Sequence, residues 1–362
     1  MAEISLRSRT IALLMLAAVL LGRLVGQAPP WSDAARAAIA AKIASDRIPG
    51  LSCAIAVRGE TVFREGFGLA DLENDVPATA QTVYRLASVS KPITAVAAMQ
   101  LVEAGSLDLD ADVRALVPEW PSKPWPVTTR QLLAHLGGVR HYGREGESTV
   151  HYATQTAALV CFAADPLLHE PGTQYLYSTY GFNLVAAVVE ARSGQPFAAF
   201  VRERIALPSG ATSLQDDDVR RIVRGRAAGY IRVGEQLQNS ALMDSSYKLG
   251  GGGLCGSVED LARFGAALLA GKLVRASTLA AMWKPQQTSE GKLVEYGLGF
   301  RVEQHDGRTM VSHGGAQSQV STHLLLLPDA QVVVVVMCNL EKVRLQPLAL
   351  QLALLAAKGA TK

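Results

Sequence analysis

Strand-forming sequence sits at the two ends of this chain and is sparse between them. Near the start, LSCAIAVRGETVFREGFG (Leu51 to Gly68) alternates around a turn at Arg58-Gly59-Glu60, the pattern of a β-hairpin. Near the other end, YGLGFRVEQ, THLLLLP and QVVVVVMC read as strands separated by turn formers. From about Tyr84 to about Met282 helical periodicity dominates, broken by polar and Gly/Pro-rich loops. An unpaired strand leaves a row of open backbone donors and acceptors, so the two sets are expected to pair. The expected fold class is α/β: an antiparallel sheet built from both chain ends, flanked by helices, with a large, mainly helical lobe inserted. Helices over Trp31–Ile48, with Ser32 as N-cap and IPG as stop, and over Gln346–Ala357 should cover one face. The inserted middle should cover the other. The division expected is a sheet lobe at about 31–80 and 291–360 and a helical lobe at about 81–290. Active sites commonly sit between such lobes.

The remaining composition bounds the function. Apolar residues make up 49% of the 362 positions and charged residues 19%, which suits a well-buried globular chain. The formal net charge of +3 comes without any Lys/Arg block, which argues against a nucleic-acid partner. Cys53, Cys161, Cys255 and Cys338 are widely spaced and form no CxxC, so they read as small buried apolar side chains. No HExxH or other clustered ligand spacing points to a metal, and no cofactor is indicated. At the N-terminus, Arg7 and Arg9 precede an eleven-residue apolar run, Ile11–Leu21. That length fits the core of a signal peptide and is short for a membrane span. Residues 1–28 are therefore read as a signal peptide or an N-terminal membrane anchor, with an exported, periplasmic or extracellular location. The structured domain is expected over 31–360.

The reactive candidate is YRLASVSKPITA, Tyr84 to Ala95. A helix beginning near Ser88 places Pro92 in its first turn, where a missing N–H costs little. Ser88 and Lys91 then share one helix face. A serine hydroxyl needs a base, and lysine serves as one only when its amine is neutral. Desolvation and nearby positive potential both favour the neutral amine. The apolar residues Ile93, Ala95, Val96, Ala97 and Met99, together with the helix N-terminus, are expected to supply them. The spacing alone is weak evidence, since Ser245/Lys248 and Ser289/Lys292 repeat it. The former runs into a glycine tract and the latter encloses Gly291, so neither is expected to open a buried helix.

Five segments in order resemble the penicillin-recognising serine hydrolases. This family includes class C β-lactamases, D-alanyl-D-alanine carboxypeptidases, esterases and mitochondrial β-lactamase-like peptidases. The segments are YRLASVSKPITA, TTRQLLAHLGGV, YLYSTYGFNLVAAVVEARSG, GGGLCGSVEDLARF and VSHGGAQSQVSTHLLLLPDAQVVVVVMCNL, and the resemblance spans roughly Trp31–Ala357. It implies a metal-free acyl-enzyme mechanism with Ser88 as nucleophile, Lys91 as base and Tyr177 as proton shuttle. It implies an oxyanion hole from the backbone N–H groups of Ser88 and Ala316. It makes Thr179, His313, Gly314 and Gly315 substrate-binding positions, the paired glycines keeping their strand open to substrate. Thr179 stands where the family usually has asparagine, and His313 where many β-lactamases have lysine. Both departures favour a peptidase- or esterase-like hydrolase of small-molecule or peptide amides and esters. The alternatives are a β-lactamase or D-alanyl-D-alanine carboxypeptidase, or a non-catalytic sensor on the same fold. His135 and His141, flanking Gly137-Gly138, read mainly as surface or loop residues, with a place at the substrate rim as the alternative.

Overall fold

The computed structural model describes residues 29–143 and 149–360. A seven-stranded antiparallel sheet uses β1 (Gly50–Val57), β2 (Glu60–Asp71), β3 (Val76–Pro77), β4 (Arg301–His305), β5 (Arg308–Gln317), β6 (Val320–Leu327) and β7 (Val332–Cys338). Its order is β4-β5-β6-β7-β1-β2-β3, so the N-terminal hairpin joins the C-terminal strands along β1–β7. The hairpin turn holds Arg58 and Gly59 at positive φ, the primed geometry that matches strand twist. The strand read from YGLGFRVEQ is shorter than expected: β4 begins at Arg301.

Both faces of the central strands are buried, and period 2 assigns each residue a side. Cys53, Ile55, Leu325, Val334 and Val336 pack with α1 (Ser32–Asp46) and α5 (Gln346–Ala360). Ala54, Ala56, Leu324, Leu326, Val333 and Val335 pack with the inserted region. There α4 (Val258–Leu269) lies so close that a Cβ at Gly265 would fall 2.5 Å from a Val333 methyl. The terminal helices thus cover one face and the insertion the other.

Two details differ from the expectation, and the cysteines largely follow it. Ser32 is the first helical residue of α1 and caps nothing, because Trp31 occupies the N-cap; the helix stops at Asp46 with Arg47 left-handed. The inserted region contains short strands as well as helices: Val83–Arg85, Leu254–Ser257 and Gln215–Asp216 form their own sheet. Strands of two to four residues are too brief to show a period. All four cysteines are free, and Cys53, Cys255 and Cys338 are buried. The proposed leader, residues 1–28, lies outside the described residues. Among the described residues no helix is long and apolar enough to cross a membrane.

Candidate active site

After Arg85 the chain makes a tight turn, Ala87–Val89, and then enters α2 (Ser90–Glu103). Ser88 therefore sits in the turn, just ahead of the helix, and Pro92 falls within the helix's first turn. Ala87 has φ +47°, a left-handed conformation that disfavours a residue with a Cβ. Packing against the sheet holds it there. Thr322 Oγ1 on β6 donates to Leu86 O at 2.9 Å. On β5 a Cβ at Gly315 would lie 2.3 Å from Thr322 Oγ1 and 2.5 Å from Leu86 O. Gly315 therefore lets the turn dock against the sheet, a closer constraint than the open strand expected from sequence. Ser88, Gly314, Gly315 and Ala316 consequently line one pocket of about 490 Å³.

Lys91 is fully buried, with Nζ 3.0 Å from Ser88 Oγ, 3.0 Å from Thr179 Oγ1 and 2.6 Å from Gly251 O. Its Nζ also lies 4.8 Å from the centre of the Tyr177 ring. Burial, followed by the charge of Lys248, pushes Lys91 well below the ordinary lysine range. The expected apolar stripe is instead a helix buried all round from Ser90 to Met99. The groups that meet the amine come from elsewhere in the chain.

Tyr177 precedes α3 (Thr179–Ser193), whose N-cap Ser178 accepts from Gly181 N. Burial pushes the Tyr177 phenol up, and a hydrogen bond with Ser88 works against this. Two imidazoles fix the segment: Ser178 N donates to His135 Nδ1 at 3.1 Å, and Thr179 N donates to His141 Nδ1 at 3.0 Å. His135 is buried among Tyr175, Tyr177, Phe182 and Tyr296, so it is no rim residue, whereas His141 lines the pocket. Thr179 is itself buried behind the pocket and meets Lys91.

His313 is placed differently from expectation. Its ring is buried, with Nδ1 2.7 Å from Gly314 O and Nε2 3.0 Å from Tyr296 Oη. A carbonyl only accepts, so Nδ1 carries the hydrogen and Nε2 accepts from the tyrosine. Burial and the nearby Lys91 charge push His313 well below the ordinary histidine range. The side chain thus braces the site from behind and does not line the pocket.

Ser289 and Lys292 are exposed and, as expected, open no buried helix. Ser245/Lys248 overturns its reading: both residues are buried, at a turn leading into a short helix over Leu249–Gly252. Lys248 Nζ lies 4.6 Å from the centre of the Tyr142 ring, and burial pushes it down to about 7. The sequence reading missed Lys248, the Gly251 carbonyl, Tyr296 and the pocket-lining Tyr142, Arg301, Thr322 and His323. The repeated Ser-x-x-Lys spacing was the available signal for Lys248; the others carry no local pattern. Among the described residues no group of three or more His, Cys, Asp and Glu is placed to share a metal ion.

Residues 35–358 match the family described as Beta-lactamase. The chain belongs to that family. Among family relatives, the human mitochondrial serine beta-lactamase-like protein LACTB is 29% identical, over 84% of this chain and 76% of its own length. Esterase EstB of Burkholderia gladioli is 36% identical over a shorter stretch, 45% of this chain and 46% of its own. The octameric penicillin-binding protein homologue from Pyrococcus abyssi superposes with a TM-score of 0.78 at 25% identity, covering 91% of this chain and 78% of that one. The family's serine hydrolase chemistry and its mixed α/β architecture are those of this chain.

Proposed function

We propose that this family member forms an acyl-enzyme on Ser88 and hydrolyses amides or esters, in a peptidase- or esterase-like manner. The observation that carries the reading is the environment of Lys91: buried, 3.0 Å from Ser88 Oγ, with Gly251 O and Thr179 Oγ1 around it. A neutral amine has two N–H donors and one lone pair. Gly251 O takes one donor and Thr179 Oγ1 the other, which leaves the lone pair for the Ser88 hydroxyl. Lys91 then removes the Ser88 proton as Oγ attacks the carbonyl carbon. The oxyanion forms between the N–H groups of Ser88 and Ala316, two donors of a kind that supplies about 2.7–4 kcal/mol each. Tyr177, pushed up by burial, stays protonated near neutrality. It donates to the leaving group and recovers the proton from Lys91. Water then attacks the acyl-enzyme by the reverse route. The opposite shifts of lysine and tyrosine support this division into base and acid.

Esterase or peptidase action is preferred to penicillin hydrolysis because Thr179 brings no amide and His313 no fixed charge to the pocket. EstB, an esterase by name, supports the same preference. The leader-like segment supports export or membrane attachment. Labelling by a serine-directed fluorophosphonate tests the nucleophile. Ser88→Ala should abolish it, and Ser245→Ala and Ser289→Ala should keep it; survival of labelling in Ser88→Ala sinks the assignment. Steady turnover of a chromogenic ester beyond the first equivalent separates a hydrolase from a sensor that acylates once.

A further inference from the structure

The second buried Ser-x-x-Lys pair leaves an amine that takes no part in the acylation steps. Lys248 is 1% exposed, and among the described residues no hydrogen bond or ion pair engages its Nζ. What the amine meets is two rings, with the centre of Tyr142 at 4.6 Å and that of Tyr247 at 5.5 Å. Its stem is packed in place. A Cβ at Gly252 would lie 3.6 Å from Lys248 Cδ and 3.7 Å from Ala87 C, so the stem runs between the glycine tract and the Ser88 turn. Tyr247 is fixed as well: it is buried, and its Oη donates to Met243 Sδ at 3.8 Å.

Tyr142 is placed differently. It is half-buried and lines the Ser88 pocket. Its ring stands edge-on to Tyr247 at 6.1 Å and to Tyr180 at 6.4 Å, and lies 4.1 Å from the His141 ring. Among the described residues no hydrogen bond holds the Tyr142 side chain. The face of an aromatic ring is negative, and it attracts a cation most strongly where water is excluded. The Lys248 ammonium is therefore the charged group that ties this pocket-lining ring to the buried interior.

We propose that Lys248 is a positioning residue of the acylation pocket: its ammonium, lodged against two rings, fixes Tyr142 as a flat wall that favours substrates with an aromatic group beside the scissile carbonyl. A fixed ring gains offset-stacked or edge-on contact with a substrate ring, and a loosened one loses it. The proposal rests on the reading of the Ser88 pocket as the substrate site, and it is tested apart from it. The charge of Lys248 also lowers Lys91. That effect falls on every ester alike, so selectivity, not rate, reports on the Tyr142 wall.

4-Nitrophenyl phenylacetate and 4-nitrophenyl acetate share a leaving group and a base, so the ratio of their kcat/KM values cancels any change at Lys91. Burial pushes Lys248 down to about 7, so at about pH 6 it carries its proton. There the parent should favour the phenylacetate, relative to the two esters' hydroxide-catalysed rates, and K248M should lower the ratio about tenfold. K248R keeps a cation against the rings and should retain the preference. Y142L should lower the ratio as K248M does, and K248M/Y142L should lower it no further. A parent without the preference, a ratio unchanged in K248M, a ratio lost equally in K248R, or additive losses in K248M/Y142L overturns the proposal. If no ester is turned over and Ser88 resists the fluorophosphonate, the hydrolase reading has failed, and calorimetry with phenylacetamide decides the wall instead. Binding that K248M weakens and K248R keeps supports it; absence of binding to the parent, or equal binding to K248M, overturns it.

Discussion

Replacing Thr179 by valine keeps the shape of the side chain and deletes the oxygen 3.0 Å from Lys91 Nζ. The amine loses one of its two non-nucleophile acceptors, leaving Gly251 O. A hydrogen bond contributes about 1.5–3 kcal/mol to a charged partner and about 0.5–1.5 kcal/mol to a neutral one. Deletion therefore disfavours the ammonium over the amine by about 1–1.5 kcal/mol, roughly one pH unit. The sign follows from which form loses more: the ammonium is destabilised, so the Lys91 pKa falls further. The ascending limb of acylation rate against pH should move about one unit toward acid. Because Lys91 becomes an ammonium as Ser88 attacks, the plateau should drop about five- to tenfold. Fluorophosphonate labelling, quenched over a series of times and pH values, isolates acylation from deacylation. Thr179→Ser retains the oxygen and should stay near the parent curve. A Thr179→Val limb that stands still or moves toward base refutes either the Thr179 contact or Lys91 as the base.

Lys248→Met removes the charge that helps hold Lys91 neutral, so the acylation limb should shift the other way, toward base. Lys248, pushed down to about 7, is charged on the acid side of that value, so the shift should be confined there; a limb that does not move would remove Lys248 from the electrostatics of the site. Lys91→Arg keeps a positive charge but cannot act as base near neutrality, and should abolish labelling; acylation near the parent rate would reduce Lys91 to a structural partner. Steady-state assays with benzylpenicillin should give a kcat/KM below about 10⁴ M⁻¹s⁻¹, and a value above that would show that Thr179 and His313 do not disfavour the β-lactam. Gly315→Ala should weaken labelling by pushing the Ser88 turn off the sheet, since its Cβ would lie 2.5 Å from Leu86 O; unchanged labelling would mean that the turn does not depend on this contact.

What the sequence determined by itself is the part written in short-range pattern. Alternation in β1 and β2 and the apolar runs of β6 and β7 marked strands at both chain ends, and one shared sheet leaves fewer open edges than two separate ones. Ser88, Lys91 and Pro92 marked the helix entry, since capping and proline geometry act within one turn. Tertiary structure decided what surrounds them. Lys91 meets Thr179 and Gly251, 88 and 160 residues away, and no local period encodes such a meeting. The same holds for Ser245/Lys248, dismissed by its flanking glycines yet buried, and for His313, whose ring turned to Tyr296 rather than to the pocket. Arg301 and Arg344 reach one pocket from separate elements. A side chain's charge state depends on what excludes water from it, and that is settled only when distant segments pack together.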